Sequence, residues 1–141
     1  MKTLKTITAA FLMVLSFSAF ADDDKNSEKL QMNYALKTYI DAVAHGKIQN
    51  LPEVLDKDIK FTTTRGERII NHKKSEMLNV MKHNENVEQN CTTEFSIIES
   101  NPTISVVKVV MKYQDFSKVT YLNLANTTKG WKITNVSSSI Q

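Results

Sequence analysis

The chain predicts an α+β domain. Helical periodicity is confined to its first half, β-rich segments fill its second, and the links between those segments are too short for crossover connections. From Ser27 to His45, Met32, Leu36, Tyr39, Ile40 and Val43 recur at helical spacing and form one apolar stripe. Ser27 is placed to cap this helix, Glu28 lies in its first turn, and Gly46 is a left-handed stop. A second, short helix is expected after Asn50. Glu53 would be its capping-box partner, Pro52 suits only a first turn, and Leu51, Val54 and Leu55 form the buried side.

Ile59-Lys60-Phe61-Thr62 alternates like a half-exposed strand, Arg65-Gly66-Glu67 turns the chain, and Ile69-Ile70 is a short strand. Asn71 is expected to cap a third helix that points Met77, Leu78 and Met81 inward, and His83 to Asn90 is polar loop. Four strands follow at about Cys91–Glu99, Ile104–Tyr113, Phe116–Asn126 and Trp131–Ser138. Asn101-Pro102, Gln114-Asp115 and Lys129-Gly130 are the turns between them. Such short links imply consecutive antiparallel pairing, since a parallel crossover needs about a dozen residues. The expectation is three N-terminal helices packed on a curved antiparallel sheet.

Residues 1–21 read as a signal peptide. Lys2 and Lys5 precede an apolar run from Ala9 to Phe20, and Ala19-Phe20-Ala21 is an A-x-A cleavage site. About twelve apolar residues are too few for a stable membrane anchor. The mature chain is expected to start at Asp22, to work in the periplasm or outside the cell, and to form one domain over residues 22–141. Loss of Lys2 and Lys5 lowers the formal charge from +3 to +1. The remaining positive residues are scattered, which argues against nucleic acid as a partner. Cys91 is the only cysteine, so no intramolecular disulfide is possible, and it is expected to be a small buried hydrophobe.

The order helix, short helix, strand, helix, four strands resembles the nuclear transport factor 2-like superfamily. Gly46-Lys47 with Leu51, Leu55 and Asp58-Ile59-Lys60-Phe61 is similar to the superfamily's run from first helix to first strand. Gly130-Trp131-Lys132-Ile133-Thr134-Asn135 is similar to its closing strand. Among its members the chain is most similar to small exported bacterial proteins of the lumazine-binding and uncharacterised groups. The resemblance implies a cone-shaped, cystatin-like sheet wrapped around the first helix. It leaves activity open, because the superfamily holds isomerases, dehydratases and proteins that only bind.

Alternation along the strands assigns candidate cavity residues. Phe95, Ile97 and Glu99 share one face, as do Val107, Val109, Met111 and Tyr113. Val119, Tyr121 and Asn123 are chosen for the third strand, against competing Leu122 and Leu124, and Trp131, Ile133 and Asn135 for the last. Lys108, Lys112, Lys118, Thr120 and Lys132 are then left for solvent or a dimer rim. The first helix adds Tyr39 and Leu36, and the third adds Met77 and Met81. The expected pocket, with Tyr39, Phe95, Glu99, Met111, Tyr113, Tyr121, Asn123, Trp131 and Asn135, would take a small apolar or aromatic ligand. Glu99 is the one carboxylate among apolar neighbours and so the candidate general base of an alternative isomerase or lyase. No metal or cofactor is expected, because His72 and His83 have no third ligand at suitable spacing. A homodimer through the outer sheet face is a further expectation.

Overall fold

The structure, a computed structural model, describes residues 30–141, so the expected signal peptide and the expected Ser27 cap lie outside the described residues. Helix α1 spans Met32–His45 and turns Ala35, Leu36, Tyr39 and Ala42 into the core. Gly46 ends it at φ 68°, its N–H donating to Ala42 O while Lys47 N–H donates to Asp41 O. Helix α2 is the single turn Leu51–Val54, with Pro52 in its first turn. Its expected capping box does not form. The Glu53 carboxylate instead accepts from the Tyr34 hydroxyl at 2.6 Å and ties α2 to α1.

Strand β1 (Leu55–Arg65) turns through Gly66-Glu67 into β2 (Arg68–Lys73). Helix α3 (Lys74–Lys82) follows directly. Asn71 belongs to β2 rather than capping α3. The start of α3 is closed by Glu76, whose carboxylate accepts the Lys73 N–H at 2.9 Å. The Lys74 ammonium donates to Pro52 O and Leu55 O, satisfying carbonyls that α2 leaves open.

The remaining strands are β3 (Thr92–Ser100), β4 (Ile104–Lys112), β5 (Ser117–Thr127) and β6 (Gly130–Ile140). They pair consecutively and antiparallel, as expected. The curved six-stranded sheet runs β2-β1-β6-β5-β4-β3. Two expectations are corrected. Only α1 and α2 precede the sheet, α3 lying between β2 and β3. Nor is the sheet wholly antiparallel, because β1 pairs parallel with β6, from Lys60 opposite Asn135 to Thr64 opposite Ser139. The long stretch between those strands supplies the crossover that a parallel pair demands.

The core lies between α1 and the concave face. Leu36, Leu51, Val107, Leu122, Leu124 and Ile133 are nearly inaccessible there. Each contributes on the order of 1.5–3 kcal/mol through burial. Strand β4 alternates cleanly, with Ser105, Val107, Val109 and Met111 inside.

Candidate ligand cavity

Two β-bulges decide which side chains reach the concave face. In β3, Phe95 opposes Val109 and Ile97 opposes Val107, but Glu99 then opposes Val106, with Ile98 as the extra residue. In β6, Ile133 opposes Leu124 and Asn135 opposes Asn123, with Thr134 as the extra residue. An inserted residue reverses the face of everything beyond it. Glu99 therefore leaves the face of Phe95 and Ile97, and Asn135 leaves the face of Ile133. Val136 and Ser138 take the inward positions.

In β5 the inward residues are Lys118, Thr120, Leu122 and Leu124. They pair with inward Met111, Val109, Val107 and Ser105 of β4. Tyr121 and Asn123 consequently lie exposed on the convex face. Lys118 and Thr120, expected at solvent or a dimer rim, belong to the inside.

A cavity of about 290 Å³ opens at the end of the concave face formed by the β4–β5 turn. Its floor carries Tyr39, Phe61, Met111, Val136 and Ser138, and Thr62 and Thr63 of β1 form one side. Met77, Val80 and Met81 of α3 form a flexible apolar wall. The loop after α3 closes the rim with Asn84, Val87 and Gln89. Two backbone bonds fasten this loop to the end of α1, from Asn86 N–H to Gly46 O at 3.0 Å and from Gln89 N–H to Ala44 O at 2.8 Å.

Polar groups gather at one end. The Tyr39 hydroxyl is hydrogen-bonded to Thr120, whose hydroxyl lies 2.9 Å from that of Ser138. Burial holds the Tyr39 hydroxyl well above the usual tyrosine range, and the Thr120 bond opposes this only weakly. The Tyr113 hydroxyl donates to Gln89 Oε1 at 3.0 Å, and its ring stacks on Phe116 with centroids 4.4 Å apart. Partial burial raises its pKa, and the nearby Cys91 adds to the effect. Cys91 is half-buried in the loop before β3, not sealed in the core. Burial lowers the pKa of Lys118, since water is withdrawn from its ammonium.

Of the sequence-derived cavity residues, the structure brings Tyr39, Met77, Met81, Met111 and Tyr113 together here. Phe95 lines a separate depression with Leu36 and Ile40. Trp131 packs against the core, and Glu99, Tyr121, Asn123 and Asn135 stand on the other face. Glu99 is exposed and cannot act on a molecule held in the cavity. The histidines are engaged elsewhere: His83 Nδ1 lies 2.7 Å from Asn79 O, and His72 Nδ1 lies 3.7 Å from Glu76. Missed by sequence reasoning were Lys118, Ser138 and the Thr62-Thr63 pair.

Comparison with known proteins places this geometry. A family described as "Putative lumazine-binding" matches residues 27–137. The chain belongs to this family. Its fold is nuclear transport factor 2-like. A similar structure is an NTF-2-like protein of unknown function from Silicibacter pomeroyi, with TM-score 0.66 and 12% identity, covering 78% of this chain and 92% of that one. A cystatin-like fold protein from Burkholderia xenovorans has TM-score 0.61 and 13% identity, covering 78% and 88%. A ketosteroid isomerase-like protein from Erwinia carotovora atroseptica has TM-score 0.57 and 14% identity, covering 82% and 97%. At these identities the likeness concerns the fold. No curated protein matches the chain.

Proposed function

We propose that this family member is an exported protein that binds a small, partly apolar molecule in the cavity between α1, α3 and the β4–β5 turn, without chemical turnover. The observation that carries this reading is the lining itself. Met77, Met81, Val80, Val136 and Phe61 supply an apolar body, and Tyr113, Ser138 and Lys118 supply a few convergent polar groups. That is the composition of small-molecule sites, and about 290 Å³ lies at the lower end of their size range. The family description makes flat heteroaromatic compounds such as lumazine the first probes.

The test is thermal shift against heteroaromatic and aliphatic compounds, repeated on Val87→Trp. Val87 is on the exposed rim, so a larger side chain there blocks entry without disturbing the core. A compound that stabilises the native chain but not the variant supports the reading. Equal stabilisation of both, or of neither by any compound, rejects it. Export is tested separately by N-terminal sequencing of the mature protein, with Asp22 expected as the first residue.

A further inference from the structure

We infer that the ligand of this cavity is a small hydrophobic monocarboxylic acid whose carboxylate pairs with the Lys118 ammonium. The inference rests on the binding reading above and adds the chemical class of the ligand. Among the described residues that line the cavity, Lys118 alone carries a formal charge, with no aspartate, glutamate or histidine beside it. Lys118 lies on the concave face of β5, between Met111 of β4 and Ile140 of β6. Among the described residues no carboxylate stands within ion-pair distance of its ammonium.

Surface lysines keep their heads in water, whereas this one is partly withdrawn from solvent beside apolar neighbours. A desolvated cation is costly unless an anion and hydrogen bonds compensate it. The described residues of the lining supply hydroxyl groups but no anion, and a bound carboxylate would complete the pair. The Tyr113 hydroxyl belongs to the same lining, and by exchanging its bond to Gln89 Oε1 it could donate to a second carboxylate oxygen. Met77, Met81 and Val136 would then meet the apolar part of the acid. One cation matches one negative charge, so a dianionic phosphate would keep an uncompensated charge.

Titration calorimetry with benzoate and octanoate, beside benzamide, octanamide and phenyl phosphate, tests the inference. At least one acid is expected to bind at least tenfold more tightly than its amide. Lys118→Met should remove that preference and keep amide binding, and Lys118→Arg should restore it. The melting temperature of each variant shows whether it is folded. If amides bind as well as acids, or Lys118→Met binds acids undiminished, the charge pairing is wrong while the cavity reading stands. Phenyl phosphate binding more tightly than either acid rejects the carboxylate class. If neither acids nor amides bind and no other compound stabilises the chain, both readings fall together.

Discussion

Tyr39 and Lys118 titrate in opposite senses, and the difference is measurable. The folded-state pKa of Tyr39 lies above its unfolded value of 10.0. The stability this represents is complete below pH 10 and is lost as pH rises toward the folded value. Tyr39→Phe lacks that contribution, so its melting temperature should fall less steeply above pH 10 than that of the native chain. Lys118 has a folded pKa below its unfolded 10.5, so the unfolded chain holds more protons in that window and stability rises with pH there. Lys118→Met should melt higher at neutral pH and lose part of that rise, by circular dichroism at a series of pH values. Glu99→Gln, on the exposed convex side, should leave both melting temperature and ligand binding unchanged.

Elements differ in how tightly their junctions are built. Gly46 sits at φ 68°, and a Cβ there would lie 2.6 Å from Asn86 N and 2.7 Å from Val87 N. Gly46→Ala should cost at least about 2 kcal/mol, combining left-handed strain with displacement of the rim loop, as read from urea denaturation. Gly66, at φ 59° in the open β1–β2 turn, meets nothing, so Gly66→Ala should cost only about 1 kcal/mol. The helices and most strand positions were legible because periodicity and turn residues report burial directly. The faces of β3 and β6 were not, since strict alternation has no place for the extra residues Ile98 and Thr134. In β5 the alternation is clear, but the preceding turn sets its phase. The Gln114-Asp115 turn sets Met111 opposite Lys118, which puts Leu122 and Leu124 inside and Tyr121 outside. Five cavity-lining residues were legible because Tyr39 lies on the stripe of α1, Met77 and Met81 on the inward side of α3, and Met111 and Tyr113 on the alternating run of β4 and its end.

At the scale of the whole molecule, β6 is the seam. It lies between β1 and β5 and buries Ile133 and Val136 against α1. Ile133→Ala should lower stability by about 2–5 kcal/mol, measured in urea. The parallel β1–β6 pair was not legible in the sequence, because nothing local marks a contact between segments so far apart. Its position has a consequence for biogenesis. Every other strand emerges from the ribosome before β6, yet without β6 the β1–β2 hairpin has no ladder to the β3–β4–β5 meander. The native sheet therefore cannot close until the C-terminal residues arrive, and the earlier strands stay without their central partner until synthesis of the chain ends.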